Sequence, residues 1–420
     1  MTSDDLNERL RHLHAPLPPG LVARAQLAAA AQLPPPPLPS HRRRALEGLL
    51  ATALAAAIAV PLYLTHSGPT TTGAPGTQLV FLSSATMSSR TSPCTVEVQA
   101  VSGGSMHTLA TIPDDPNCQV MTFGDSLLVT TGTVTAPGPF AIIDVGTGAQ
   151  HSIAVRGLLG AGFPDWASPD ASELAVPVGR GANGLASIDI VDVGTGSVIR
   201  QLEPRVGGAY LQLGSGALSG GAWLSDGLHL VTQCASFSSG AGCEYVVNPV
   251  TGATTPVSGP TAAATPLSLA GSPDGTKEAM AWCSVTEPYC TGGGQSVTVG
   301  AAGGPTTTVY TAPSGDFAIV VAVGNDGSAL IEVSTSNPNA PATLVVAPGG
   351  RVHAVTAPAG WMLGDGYVLP GGGFAVAATQ TGKPGSGQEQ EVLQITDAGS
   401  SELIAGPGPA SSAYLIGVAT

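Results

Sequence analysis

From residue 77 onward the chain repeats one short unit seven times, and this repetition limits the possible folds more than any other feature. The unit is a β-rich run, a glycine-bearing turn and a second β-rich run. The copies read TVEVQAVSGGSMHTLATI, FAIIDVGTGAQHSIAV, ASIDIVDVGTGSVIRQL, EYVVNPVTGATTPV, SVTVGAAGGPTTTVYT, ATLVVAPGGRVHAV and EVLQITDAGSSELIA. Their turn glycines are Gly104, Gly148, Gly196, Gly252, Gly303, Gly350 and Gly399, spaced by 44, 48, 56, 51, 47 and 49 residues. A second unit, a tight turn followed by an apolar strand, alternates with the first. It begins at Gly124, Ser168, Ser225, Ser272, Asn325 and Pro370. Ser272-Pro-Asp-Gly275 has the chemistry of a type I turn, because proline pre-sets φ and glycine tolerates the exit.

Each repeat therefore supplies four strands: a, tight turn, b, variable loop, c, glycine turn, d. Four-stranded units of this length, set radially, predict an all-β, seven-bladed β-propeller over residues 77–420. Gly and Pro are abundant (57 and 36 residues), and only 4% of residues are aromatic, so the core must be built from Val, Ala, Leu and Ile. The first repeat has a strand b at 79–87 and no strand a, while residues 413–419 form an orphan apolar strand. An open ring would expose strand edges. The C-terminal strand is thus expected to be the innermost strand of the blade containing residues 79–112, closing the ring.

Trp166-Ala-Ser-Pro-Asp170 and Trp223-Leu-Ser-Asp-Gly227 resemble the blade turns of TolB-like, WD-repeat-like propellers of bacterial envelopes. Ser272-Pro-Asp-Gly275 keeps the turn without the Trp. The resemblance covers residues 77–420. It implies the fold and leaves the activity open, because propellers host many functions.

Ahead of the repeats the chain changes character. Residues 1–44 read as a short helical cytoplasmic tail, broken by Pro16, Pro18, Pro19 and Pro34–Pro37. Residues 48–64 (GLLATALAAAIAVPLYL) carry no charge, at the lower limit for spanning a bilayer. Arg42, Arg43 and Arg44 flank this run, and such a cluster stays cytoplasmic. We expect a single transmembrane helix over 45–65, a linker over 66–76, and an extracytoplasmic propeller. A cleaved signal peptide is disfavoured by the length of the preceding segment. From residue 66 onward eight basic residues face 24 acidic ones, a balance that excludes nucleic acid as a partner. The linker reaches at most about 36–40 Å. It joins strand b where strand a ends, so the tight-turn face should look toward the membrane.

All six cysteines, Cys94, Cys118, Cys234, Cys243, Cys283 and Cys290, follow the apolar run. Fifteen pairings are possible. The blade model makes Cys94–Cys118, Cys234–Cys243 and Cys283–Cys290 the simple set, all on the face of the b–c loops, and oxidation suits an exported domain. Free or metal-bound thiols are the alternative, although no CxxC is present and no His lies within four residues of a Cys.

The residues show no catalytic, cofactor or metal motif. Asp170, Asp226, Asp274 and Asp326 in the tight turns are expected to accept backbone hydrogen bonds. His66, His107, His151, His229 and His353 are isolated in the sequence, and the ectodomain arginines are scattered. Trp166, Trp223, Trp282 and Trp361 are expected to pack between blades. The reading that follows is a membrane-anchored extracytoplasmic module that binds an unknown protein or small ligand, without a cofactor. An envelope enzyme working at the channel mouth is one alternative. A transmembrane sensor is another, because the layout resembles membrane-bound anti-sigma factors; the tail has no Cys, so it is not their zinc-binding form.

Overall fold

A computed structural model describes residues 76–420 except 85–93, 113–118, 134–135, 154–165, 181–184, 207–208, 212–217, 234–241, 262–263, 284–294, 314, 335–342, 381–389, 406–412 and 420. The expected tail, transmembrane helix and all of the linker but Gly76 lie outside the described residues. Among the described residues no helix is long and apolar enough to cross a membrane.

The glycine-turn hairpins and tight-turn strands combine into antiparallel blades as their alternation predicts. Blade 1 pairs Ala413–Ala419, Gln78–Ser84, Cys94–Ala100 and His107–Ile112, and blade 2 pairs Gln119–Phe123, Ser126–Thr133, Ala136–Asp144 and Gln150–Ile153. Blade 3 holds Glu173–Arg180, Leu185–Asp192 and Ser197–Leu202, and among the described residues its innermost position is marked by a bridge between Ala167 and Leu174. Blade 4 is Leu218–Leu224, Gly227–Gln233, Gly242–Val247 and Thr254–Pro256. Blade 5 is Thr265–Gly271, Lys277–Cys283, Gln295–Ala301 and Thr306–Thr311. Blade 6 is Phe317–Val323, Ala329–Ser334, Thr343–Val346 and Val352–Val355, and blade 7 is Trp361–Val368, Phe374–Gln380, Gln390–Ile395 and Ser401–Ala405. The fold is an all-β, seven-bladed propeller. A short hairpin, Arg205–Val206 with Ala209–Tyr210, sits between blades 3 and 4 and was not expected from the sequence.

The ring closes as expected. Ala413–Ala419 pairs antiparallel with Gln78–Ser84, setting Gln78 opposite Ala419 and Ser83 opposite Ala413. The chain thus enters blade 1 on the tight-turn face.

Each blade is too thin to bury its own apolar side chains, so the core lies between blades. The buried apolar residues form seven clusters, one for each interface of the ring. Trp166 and Trp223 pack between blades 3 and 4. Trp282 packs between blades 4 and 5, where its indole N–H donates to Thr298 Oγ1 at 2.9 Å. Trp361 is half-buried on the inner strand of blade 7. Among the described residues the apolar cluster between blades 4 and 5 includes Ala222, Leu224, Val231, Leu269, Met280 and Trp282.

The repeated hairpin glycine has a packing cause as well as a turn cause. Each of several c–d turns tucks against the outer strand of the preceding blade. At Gly196 (φ +66°) a Cβ would collide with the Ser152 carbonyl, and at Gly399 (φ +77°) it would meet the Ala354 carbonyl at 3.0 Å. His151 donates from Nε2 to the Val193 carbonyl across the same junction of blades 2 and 3. Arg200 Nε donates to the Pro249 carbonyl at 3.1 Å between blades 3 and 4.

The tight turns of blades 2 to 6 also touch one another. The Ser225 amide donates to the Gly275 carbonyl at 2.9 Å, and the Asp274 amide donates to Asn325 Oδ1 at 3.1 Å. A Cβ on Gly275 would collide with Pro169 of blade 3, and one on Gly124 would sit 2.9 Å from Ala171. These contacts crowd the propeller axis on the tight-turn face.

Candidate functional site

Three of the four tight-turn aspartates behave as their residue type predicts. Asp170 accepts from the Ser168 hydroxyl at 2.6 Å and the Ser172 hydroxyl at 2.8 Å, bonds that hold its pKa below the usual value. Asp274 accepts from Ser272 at 2.7 Å and from Thr276 at 2.8 Å, and Asp326 accepts from the Ser328 amide at 2.9 Å. In each case the residue two places on is Ser or Thr. In blade 4 that place is Leu228, which offers no side-chain donor. Asp226 instead reaches to His229, whose Nε2–H donates to Asp226 Oδ1 at 2.9 Å.

His229 is therefore isolated in sequence and not in space. Its other ring nitrogen, Nδ1, donates to Glu244 Oε1 at 2.7 Å and lies 3.7 Å from Glu278 Oε2. Strand geometry explains the meeting. His229 pairs with Val246 across strands b and c, so Glu244, two residues earlier, projects from the same face of blade 4. Val231 shares that parity and packs toward blade 5, while Met280 and Trp282, which share parity with Glu278, pack toward blade 4. The three side chains close on one point inside the blade 4–blade 5 interface. His229 and Glu244 are each 2% exposed and Glu278 is 8% exposed. Among the described residues this is the one group of three His, Cys, Asp or Glu placed to share an ion, with donor atoms all within 4.8 Å of one another.

The electrostatics follow from burial and pairing. Burial alone would lower the His229 pKa, but its hydrogen bonds to Asp226 and Glu244 and their charges outweigh it and push it up to about 9. The imidazole is thus a cation at neutral pH. Burial raises Asp226 as well, yet the hydrogen bond and charge of His229 win and hold it below its ordinary value. Glu278 is pushed up to about 7, first by burial; Glu244 and Asp226 add to this and His229 opposes it. Glu244 Oε2 and Glu278 Oε2 are buried and have no hydrogen-bond partner among the described residues. A buried, unpaired carboxylate oxygen normally costs about 1–3 kcal/mol or more. Here the interface has placed two of them together.

The remaining candidates are placed as follows. Cys94 opens strand c of blade 1, Cys243 lies at the start of strand c of blade 4, and Cys283 ends strand b of blade 5. None of these described cysteines is a free thiol. Cys118, Cys234 and Cys290 lie outside the described residues, so the expected pairing is untested. His107 is exposed and His353 half-buried, both on outer strands. Arg200 is held by Glu173 and the Pro249 carbonyl, and Arg205 pairs with Glu203 at 3.3 Å. Glu332 and Asp365, on blades 6 and 7, both have raised pKa values, caused by burial in each and, for Glu332, also by the charge of Asp365. Both side chains are exposed.

No protein-family profile matches the chain, and no curated protein does. Solved structures match the fold. The β-propeller domain of the trilobed protease from Pyrococcus furiosus aligns with a TM-score of 0.52 at 10% identity, covering 78% of this chain and 94% of that one. Pyrococcus horikoshii acylaminoacyl peptidase aligns with a TM-score of 0.52 at 11% identity, over 78% of this chain and 50% of that one. At such identities the likeness establishes the seven-bladed fold and nothing about activity. The trilobed protease's propeller is described as having an open velcro topology. The present ring is closed by its C-terminal strand.

Proposed function

We propose that this protein is a membrane-anchored, extracytoplasmic binding module that presents the face of its b–c loops to a protein or small ligand. The observation that carries the reading is the crowding of the opposite face. There the tight turns of blades 2 to 6 contact one another, and the chain enters blade 1 from the N-terminal side. A rigid ring with one occupied face leaves recognition to the loops of the other face. These include 234–241, joining the two central strands of blade 4, and 284–294, joining those of blade 5. The apolar run at 48–64 behind Arg42–Arg44 supports the anchor and its orientation.

Labelling of intact cells with a membrane-impermeant maleimide tests the topology. Cysteine introduced at Ser238 should label without permeabilisation, and cysteine introduced at Asn7 only after it. The reverse pattern would reject the orientation.

The same reading pairs Cys94 with Cys118, Cys234 with Cys243 and Cys283 with Cys290, each on the loop face. Non-reducing peptide mapping should recover these three links. A link from Cys94 to any cysteine beyond residue 230 would contradict the blade assignment. The two short bridges should each contribute about 2–3 kcal/mol or less, so they chiefly fix loops.

A further inference from the structure

We propose that His229, Glu244 and Glu278 form a binding site for a divalent transition-metal ion, Zn²⁺ in preference to Mn²⁺, which joins blade 4 to blade 5. Three separate observations lead to it. The donor atoms already lie within 4.8 Å of one another. Ligand bonds of about 2.0–2.2 Å would space them roughly 3.3 Å apart, against the present 2.7 Å from Nδ1 to Glu244 Oε1 and 3.7 Å from Nδ1 to Glu278 Oε2. Both distances from Nδ1 are thus close to what a shared ion needs, and the two carboxylate donors lie within 4.8 Å of each other.

The second observation is the pair of carboxylate oxygens, Glu244 Oε2 and Glu278 Oε2, buried and without a hydrogen-bond partner among the described residues. A dry interface tolerates such atoms when a cation shares them. The imidazolium supplies one positive charge against three carboxyl groups, counting Asp226, and cannot reach every oxygen. A divalent ion replacing the Nδ1 proton would supply more charge and bind Glu244 and Glu278 directly.

The third observation is the orientation of His229. Its Nε2–H is committed to Asp226 at 2.9 Å, which leaves Nδ1 as the ligating nitrogen. A carboxylate fixing the far side of a metal-binding imidazole is the usual outer arrangement of such centres. Asp226 is the member nearest solvent, its side chain 31% exposed. The glycine turn of blade 5 presses on it, and a Cβ on Gly303 would collide with Asp226 Oδ2.

One imidazole with two carboxylates suits Zn²⁺ and Mn²⁺ better than Ca²⁺ or Mg²⁺, and the general affinity order of divalent metals places Zn²⁺ above Mn²⁺. Bound there, the ion would sit beside the apolar contacts of Val231, Met280 and Trp282 in the same interface. It would hold strands b and c of blade 4 to strand b of blade 5.

The test is calorimetric titration of the full chain, purified in detergent and stripped with chelator, with ZnCl₂ and separately with MnCl₂. The expected result is one saturable Zn²⁺ equivalent, weaker binding of Mn²⁺, and a melting temperature raised by Zn²⁺. The double variant Glu244→Gln/Glu278→Gln should bind at least about 100-fold more weakly and lose the metal-dependent rise in melting temperature. Absence of saturable binding of either metal to the wild-type chain would overturn the proposal. So would equal affinity in a folded double variant.

Discussion

Replacing His229 with leucine should destabilise the chelator-treated propeller by about 3–5 kcal/mol at pH 8, the usual cost of breaking a buried ion pair from one side. The variant leaves Glu244 and Glu278 facing each other in the blade 4–blade 5 interface with no cation between them. The cost should grow as pH falls from 9 toward 6.5, because the His229 contribution that the variant lacks is full at low pH and is lost as pH rises through about 9. Wild-type stability should itself depend on pH through this cluster. A folded pKa above the unfolded value means that the folded state holds the proton more tightly, so the contribution is full at low pH and lost as pH rises. For Glu278 the loss runs from 4.5 to about 7, and for His229 from 6.5 to about 9. Urea unfolding from pH 5 to 9 should show wild-type stability falling by a few kcal/mol, with the fall above pH 7 absent in His229→Leu. A leucine variant as stable as wild type at pH 8 would contradict this picture of the interface.

Deleting residues 410–420 should have the largest effect on solution behaviour. It removes the innermost strand of blade 1, leaving Gln78–Ser84 as an unpaired edge. It also strips Ala413 and Leu415 from the apolar cluster shared with blade 7, uncovering Leu79, Phe81 and Leu369. An exposed edge beside an exposed apolar face is a template for association. Size-exclusion chromatography should find the deletion variant in the void volume or as large oligomers, while the full chain stays discrete. A discrete, cooperatively melting deletion variant would mean that the ring does not need this closure.

The blades were legible because their signals are local. A glycine turn between two β-rich runs names a hairpin wherever it occurs, and the seven turn glycines from Gly104 to Gly399 all fall where a c–d turn is built. The closing strand was legible by subtraction, since residues 79–87 lacked an inner partner and residues 413–419 lacked any other place. The inner strand of blade 3 was less so. The Trp166–Pro169 stretch looks like its neighbours, and among the described residues it supplies the Ala167–Leu174 bridge in place of a named strand.

The charged cluster was not read from the sequence because its members are brought together by two kinds of non-local contact. His229 meets Glu244 through strand pairing across a loop, and meets Glu278 only through packing of one blade on the next. No ligand spacing along the chain records either contact. Two weak signals were present. Leu228 breaks the Ser/Thr pattern that satisfies Asp170, Asp274 and Asp326, leaving Asp226 in need of another donor. Glu244 and Glu278 also begin otherwise apolar runs on strands c and b, EYVV and EAMAW, at positions whose parity points into an interface. A glutamate at such a position must find a cation or a proton.

The central claim, that recognition belongs to the loop face, is tested most directly by site-specific photo-crosslinking in intact cells. A photoreactive residue at Ser238 or Glu287, in the b–c loops of blades 4 and 5, should yield a discrete crosslinked product. The same residue at Thr147 or Thr195, in glycine turns on the opposite face, should yield none. Products confined to Thr147 and Thr195 would show that the tight-turn face is the one that binds.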